Sequence, residues 1–456
     1  MSAGAGNGRL VKISTIGCGY LGAVHAACMA DLGHEVIGLD VDQDKVDTLS
    51  RGEAPFHEAG LPELLRKNVD SGRLRFTTDA AEIADCDIHF IGVGTPQAPG
   101  RYAADVSYVD AAVQSVLDHA NSDRADPVLI AGKSTVPVGT AEAIAERAAA
   151  SGKNIIVAWN PEFLREGFAV QDTVDPDRIV YGLSEDKEIG EQARQMLDKC
   201  YASILERGTP RLLANYATAE LVKVAANSFL ATKISFINAM AELCDVTGAD
   251  VSKLAEAIGH DDRIGKKFLR AGIGFGGGCL PKDIRAFMAR AGELGVDQAL
   301  TFLREVDDIN LRRRAHVVDL VSDLVGPRMV GHRVAVLGAA FKPDSDDLRD
   351  SPALDIALRL WSRGADVVIH DPQAGPKLRQ ARPDLLVVDT IDEALQDAEV
   401  VMVLTEWQQF RDLDPGATRA KVKTPVVIDG RNVLDPREWS EAGWDYRGIG
   451  RGVSVW

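Results

Sequence analysis

Cys279 closes the glycine-rich run Gly274-Phe275-Gly276-Gly277-Gly278 and opens Leu280-Pro281-Lys282-Asp283. Pro281 marks a helix start, because its missing N–H costs nothing in a first turn and its φ is already set. Asp283 falls in that same turn. The positive end of a helix and the adjacent Lys282 both favour a thiolate, so the residue types and their spacing point to a cysteine nucleophile. The glycines are expected to let another molecule approach the backbone. A small, buried, apolar cysteine at a loop–helix junction is the plainer alternative.

Two further constellations carry polar chemistry. In Asn160-Pro161-Glu162-Phe163-Leu164-Arg165-Glu166, the two glutamates are four apart, a spacing that predicts one helical face. There they could position water, act as a base or touch a cofactor, although a solvated face has the same spacing. Lys223 and Asn227 are also four apart, within the apolar run Glu220-Leu-Val-Lys-Val-Ala-Ala-Asn-Ser-Phe. Polar groups among such neighbours need partners or a ligand. An ammonium beside an amide makes a donor pair for an oxyanion; a snorkelling lysine and a satisfied interface asparagine would also fit. Farther on, Phe341-Lys342, Arg349 and Arg431 could hold a diphosphate or serve as surface ion pairs.

Gly17-Cys18-Gly19-Tyr20-Leu21-Gly22 follows an apolar strand and opens a helix. The glycines suit a tight turn, close approach to a pyrophosphate and helix–strand packing, with the phosphates at the helix N-terminus. Asp40 ends the next strand, where a carboxylate accepts from ribose hydroxyls and repels a 2′-phosphate, so NAD is expected rather than NADP. Lys45 stands close enough to meet a phosphate instead. Thr95-Pro96 and Ser134-Thr135 fall at the carboxyl ends of later strands, where ligand loops gather or where ordinary turn chemistry would suffice.

The elements that must position these residues are read from periodicity. Strands are predicted at Lys12–Ile16, Glu35–Leu39, Ile88–Val93, Val128–Gly132, Ile155–Trp159 and Arg178–Tyr181, alternating with helices. A long helix from about Ala217 to Val246 follows, apolar around much of its circumference and so suited to a domain or subunit interface. Shorter helices are predicted from Val251 to Leu324. Strands return at Val334–Leu337, Asp366–His370, Val400–Leu404 and Val426–Asp429. The fold class is therefore α/β, with two Rossmann-like doubly wound domains joined by a long central helix and a helical middle domain. The expected division is a disordered tail at 1–9, a cofactor domain at 10–210, a helical domain at 211–326 and a second α/β domain at 327–456.

Bulk properties narrow the class. The chain has 456 residues, is 46% hydrophobic and 26% charged, and carries a formal net charge of −17, which speaks against a nucleic-acid partner. Its six cysteines show no metal-ligand or disulfide spacing, and no metal is expected. No apolar run approaches the roughly 20 residues of a membrane span, so a cytoplasmic protein is expected.

The motifs together resemble the UDP-glucose/GDP-mannose dehydrogenase family, most closely its members that act on UDP-glucose. The likeness runs from GCGYLG through VGTP, KSTVPVG, NPEFLREG, ELVKVAANSFLATKISFIN, DDRIG, GFGGGCLPKD, GAAFKPDSDDLRDSP and LTEW to IDGRN. It implies a four-electron oxidation, by two NAD in turn, of the C6 alcohol of a nucleotide hexose. Cys279 would form a thiohemiacetal and then a thioester that water hydrolyses. Sulfur addition makes sense of that course, because it recreates a C–H bond from which a second hydride can leave.

The resemblance also implies roles for individual residues. Lys223 and Asn227 would stabilise oxyanions, Asp283 and Glu162 would handle water and protons, and Thr135 would help hold that water. Glu166 would lie near the nicotinamide and Arg349 at the cofactor, while Lys342 and Arg431 would contact the sugar nucleotide. The motif segments Phe163-Leu164-Arg165, Phe275-Gly276-Gly277 and Phe341 would line the substrate. Arg263 would reach it from a neighbouring subunit, which requires a homodimer or larger homo-oligomer. Gly278 departs from the serine of many relatives. The same chemistry on dTDP-glucose, GDP-mannose or a UDP-N-acetylhexosamine is the nearest alternative. A two-electron 2-hydroxyacid dehydrogenase would leave Cys279 without a use, and a non-catalytic sugar-nucleotide sensor would leave the polar set without one.

Overall fold

The computed structural model describes residues 10–121 and 123–451; the tail expected at 1–9 lies outside the described residues. The chain divides into two compact units, with the boundary between Ala226 and Asn227.

The first unit is built on one eight-stranded sheet. Its strands are β1 Lys12–Ile16, β2 Glu35–Leu39, β3 Leu74–Thr77, β4 Ile88–Ile91, β5 Val128–Gly132, β6 Ile155–Trp159, β7 Ile179–Leu183 and β8 Arg211–Asn215. They lie in the order β3-β2-β1-β4-β5-β6-β7-β8. All neighbours are parallel except β6 and β7, which touch antiparallel at Trp159 and Gly182. The central strands are buried on both faces, as in β5, whose five residues are all buried; parallel strands covered by helices read as continuous apolar runs for that reason. The order reverses direction between β1 and β4, and loops at such a point open a crevice outside the strand ends. The loops after β1, β4, β5 and β6 carry Gly17, Thr95, Thr135 and Glu162.

The second unit has a six-stranded, all-parallel sheet. Its strands are β9 Arg333–Leu337, β10 Asp366–His370, β11 Leu386–Val388, β12 Val400–Val403, β13 Val426–Asp429 and β14 Asp445–Gly448, in the order β11-β10-β9-β12-β13-β14. Helices Val251–Gly259, Leu280–Glu293 and Thr301–Val325 precede it. The last of these spans 25 residues, longer than the short helices expected there. Helix Val251–Gly259 begins where the Asp250 side chain accepts from the amides of Ser252 and Lys253, a standard N-cap.

The long helix is a single element, Tyr216–Thr247, one residue longer at each end than its sequence pattern indicated. Glu220 fixes its start, since its carboxylate accepts from the amides of Gly139 (2.8 Å) and Ala141 (2.7 Å) at the head of helix Thr140–Ala150. Large apolar side chains stay exposed along the long helix: Leu221, Phe229, Phe236, Leu243 and Val246. No described helix is long and apolar enough to cross a membrane.

Candidate active site

The fingerprint turn of the first unit is tight. Gly17 adopts φ +88°, and a Cβ there would stand 2.6 Å from Val93; at Gly22 one would stand 1.8 Å from the Gly17 carbonyl oxygen. Gly19, by contrast, has no heavy atom within 4 Å of that position. Helix Tyr20–Asp31 begins there with Gly19 as its cap residue and no side chain capping it, so its first amides remain available to an anion. Asp40 follows β2, 7% exposed, and accepts from Cys18 N at 2.7 Å and Asp42 N at 3.1 Å. Lys45 Nζ reaches both Asp40 oxygens, at 3.0 and 3.1 Å, and is therefore tied to the carboxylate. An open glycine turn with a carboxylate one strand away suits the pyrophosphate and ribose of NAD.

Strand-end loops supply the rest of this unit's polar set. Thr95 Oγ1 donates to Thr135 O at 2.7 Å, joining the loops after β4 and β5. Ser134 belongs to the turn itself, its hydroxyl donating to Val93 O at 2.7 Å. Glu162 and Glu166 do not share a helical face as their spacing predicted. Residues 161–165 form no regular element; the Glu162 side chain accepts from Leu164 N at 2.7 Å, a local turn that competes with a helix. Glu162 Oε1 instead lies 3.3 Å from Lys223 Nζ, in a pair whose side chains are 15% and 8% exposed. The Phe163 ring packs between Arg178 (3.9 Å) and the Lys223 ammonium (5.6 Å). Arg165 is spent on Asp172, to which it donates from Nε at 2.9 Å and a terminal nitrogen at 2.7 Å.

In the second unit, Cys279 is the cap residue of helix Leu280–Glu293, with Pro281 and Asp283 in its first turn. It is the exposed cysteine; Cys18, Cys28, Cys86, Cys200 and Cys244 are buried. Burial pushes the thiols of Cys28, Cys86 and Cys200 up to about 12, and those of Cys18 and Cys244 upward as well. Asn227 Nδ2 donates to Asp283 Oδ2 at 2.6 Å, and Lys282 Nζ lies 2.7 Å from the other oxygen. Asp283 is 2% exposed, so the turn beneath the thiol holds a buried carboxylate with a fixed amide partner.

The glycines around Cys279 do not leave the room that their composition suggested. A Cβ on Gly274 would lie 2.4 Å from Asn310 Oδ1, on Gly276 2.2 Å from the Asp350 carbonyl, on Gly277 2.8 Å from the Phe341 ring and on Gly278 2.5 Å from the Arg349 guanidinium. The protein itself fills these spaces. Asn310 pairs with both backbone groups of Phe275, at 2.7 and 3.0 Å, and Arg314 adds a bond to Phe275 O at 3.2 Å. These two residues of helix Thr301–Val325 fix the glycine-rich segment before Cys279 and were missed in the sequence. The signal was there: an asparagine and an arginine at buried positions of a helical pattern.

A cleft of about 790 Å³ opens beside this segment, lined in part by Phe275, Gly276, Phe341, Lys342, Glu406 and Arg431. Arg431 is 13% exposed and lies 3.4 Å from Glu406. It donates to Leu404 O at 2.9 Å, Gly274 O at 3.0 Å and Phe341 O at 3.2 Å, so it ties the nucleophile segment to two strand-end loops. Lys342 stands over the Phe341 ring, and Arg349 pairs with Asp347 at 2.6 Å. Arg263 lies elsewhere, 88% exposed and paired with Asp261.

Known proteins share this plan. Three family models match in chain order: the NAD binding domain of the UDP-glucose/GDP-mannose dehydrogenase family over residues 11–205, its central domain over 217–312 and its UDP binding domain over 335–436. The chain is 40% identical to a UDP-glucose 6-dehydrogenase of Pseudomonas aeruginosa, over 97% of this chain and 98% of that one. It is 39% identical to UDP-glucose 6-dehydrogenase TuaD of Bacillus subtilis, over 96% and 93%. A solved UDP-glucose dehydrogenase from Pyrobaculum islandicum superposes with a TM-score of 0.89 at 39% identity, covering 98% of this chain and all of that one. With three family models matched in order and relatives alike over nearly the full length, this chain belongs to the UDP-glucose/GDP-mannose dehydrogenase family as an NAD-dependent nucleotide-sugar dehydrogenase.

Proposed function

We propose that the protein oxidises the C6 alcohol of UDP-glucose to the carboxylate of UDP-glucuronate. The observation that carries this reading is Cys279, exposed at the head of a helix whose first turn buries Asp283 against Asn227. NAD, when bound, takes up the hydride lost from C6 in each of the two oxidations.

Between them, Cys279 adds to the C6 aldehyde to give a thiohemiacetal, and loss of the second hydride leaves a thioester. Water attacks that carbonyl, the C–S bond breaks, and the thiol and a carboxylate are released. Lys223 and Asn227, one turn apart on the long helix, supply an ammonium and an amide to the oxygen where negative charge builds. Glu162, with Lys223 at 3.3 Å, takes protons from the alcohol and the water, and Asp283 and Thr135 hold that water. The thiolate gains from the positive end of its helix. The cleft of the second unit takes the nucleotide, with Lys342 and the fixed Arg431 contacting the sugar nucleotide; Phe163–Arg165 serve the substrate, Glu166 the nicotinamide end and Arg349 the cofactor.

The three segments 10–210, 211–326 and 327–456 act as cofactor, helical and nucleotide parts. The exposed apolar row on the long helix, from Leu221 to Val246, pairs with a second copy, and Arg263 completes the neighbour's site. A reducing compartment, the cytoplasm, keeps the exposed thiol available.

Product counting tests the reaction. With UDP-glucose, each sugar consumed yields two NADH and one uronate, and UDP-glucose outperforms dTDP-glucose, GDP-mannose and UDP-N-acetylhexosamines in kcat/KM. One NADH with free aldehyde would overturn the four-electron course. Cys279→Ala lowers uronate formation by about a thousandfold or more, as removal of a nucleophile does. Asp283→Asn accumulates an acyl adduct on the Cys279 peptide, seen by intact-protein mass spectrometry.

A further inference from the structure

Lys133 directly follows β5, and its side chain turns into the first unit, leaving the residue 7% exposed. Its Nζ donates to Asn160 Oδ1 at 3.0 Å and to the Tyr201 hydroxyl at 3.2 Å. That hydroxyl donates in turn to the same Asn160 oxygen at 2.7 Å, closing a triangle. Asn160 Nδ2 donates to Val180 O at 2.9 Å, which fixes the amide from its other end. The rings of Phe90 and Tyr201 stand 5.5 and 5.8 Å from the ammonium.

These contacts are an amide oxygen, a hydroxyl and two ring faces, all neutral. A buried cation whose direct contacts are all neutral is costly, even with the Glu162 carboxylate near enough to act on it, and a methionine would fill the same space without that cost. What the lysine adds is a tether. Lys133 immediately precedes Ser134-Thr135, and Asn160 immediately precedes Pro161-Glu162.

We propose that Lys133 is a positioning residue for the reaction: by holding Asn160 and Tyr201 it keeps the loops after β5 and β6 in one register, and so sets where Thr135 and Glu162 stand. The inference rests on the reading that Thr135 and Glu162 serve the reacting carbon. Burial lowers the Lys133 ammonium from 10.5 to about 8, with the Glu162 carboxylate opposing that shift. The titratable groups facing it are His25, Glu162, Cys200 and Tyr201. Burial holds His25 neutral, and keeps Cys200 (up to about 12) and Tyr201 protonated. As pH rises through about 8, Lys133 loses its proton, the triangle loses its charge-assisted bonds and the two loops slacken.

The test measures kcat and both KM values from pH 6.5 to 9.5 for Lys133→Met and Tyr201→Phe beside the unchanged enzyme. Lys133→Met lowers kcat about 10- to 100-fold, the scale of a slightly misplaced catalytic group. It leaves the KM for UDP-glucose and for NAD within about threefold and abolishes the alkaline fall. Tyr201→Phe removes one acceptor from the ammonium and moves that fall to lower pH. A Lys133→Met enzyme with full kcat and an intact alkaline fall overturns the proposal, as does a variant whose losses fall on KM. Should Lys133→Met fail to fold, an unshifted alkaline fall in Tyr201→Phe overturns it alone. The reading beneath it fails separately, through Cys279→Ala that still makes uronate.

Discussion

The two sheets share one winding order through six strands, yet only one of them presents a dinucleotide turn. In the first, β3-β2-β1-β4-β5-β6 brings Gly17 and Asp40 to adjacent strand ends; in the second, β11-β10-β9-β12-β13-β14 brings Gly338 and Asp371 to the same places. Gly338, like Gly17, has a positive φ, +106°. The carboxylates then diverge. Asp371 accepts from the amides of Ala339 (2.7 Å), Ala340 (2.9 Å), Gln373 (3.0 Å) and Ala374 (2.8 Å), and from Trp407 Nε1 at 3.2 Å. The amides that an anion would seek after β9 are satisfied from within. The next helix begins only at Pro352, and its cap residue Ser351 is already engaged, accepting from Leu354 N at 3.3 Å and donating to Ala339 O of the turn at 2.6 Å. Topology decides where a ligand can sit, and loop chemistry decides which ligand. On the function proposed above, the second lobe meets its nucleotide with side chains, Lys342 and Arg431 foremost.

Removing each carboxylate should expose that difference, and the larger effect falls on the lobe that binds no dinucleotide. Asp371→Ala strands several buried donors and destabilises the second unit by about 3 kcal/mol or more, read as faster hydrogen exchange in peptides from 333–448. The ratio of NAD to NADP use stays unchanged. Unaltered exchange there would mean that Asp371 is replaceable by water.

Acid should separate the lobes next. His89, bonded to Ser14 at 2.7 Å, is held by burial at about 3, against 6.5 in the unfolded chain. The unfolded state therefore binds the extra proton between those values, and stability is lost as pH falls below 6.5. Between pH 6.5 and 5 the loss from His89 is about 2 kcal/mol; buried His25 and His34 add to it in the first unit, and His316, also lowered by burial, acts the same way in the second. The second unit's Asp429 has its carboxyl pushed up by burial, which acts the other way. Urea titrations at the two pH values, with exchange resolved by peptide, check the order; His89→Asn should flatten the first unit's response.

The smallest effect is on cofactor choice. Asp40→Ala narrows the preference for NAD over NADP in kcat/KM by about tenfold, or 1.4 kcal/mol, without unfolding the first unit. A preference that does not move would place the ribose contact elsewhere.

The limits of reading the sequence follow the same architecture. The strands it missed, β3, β8, β11 and β14, are the four edges of the two sheets. Edge strands face water on one side, so they carry mixed patterns such as the Arg-Leu-Leu-Ala-Asn of β8, and periodicity does not mark them. Central strands were legible because burial on both faces demands apolar residues. Cys279, Asp283 and Asp40 were legible because each sits at or next to an element boundary with its own chemical signature, and Asn227 because it is a polar residue inside an apolar helical run. The partners of the glycines were not, because Asn310 and Asp350 reach Gly274 and Gly276 from distant chain positions. The pairing of Glu162 with Lys223 was hidden because the two lie 61 residues apart and the helical spacing of Glu162 and Glu166 suggested a different geometry.

With Cys279 as the proposed nucleophile, the burial of five thiols beside one exposed thiol would also make the enzyme its own active-site counter. At neutral pH a mild alkylating reagent should add one equivalent per chain, at Cys279, while the other five stay inert behind packing and raised pKa values. The fraction of chains labelled then measures the fraction that is competent. Protection by UDP-glucose would report occupancy without any turnover, and a probe attached there would sit beside the nucleotide cleft with no background from the rest of the molecule.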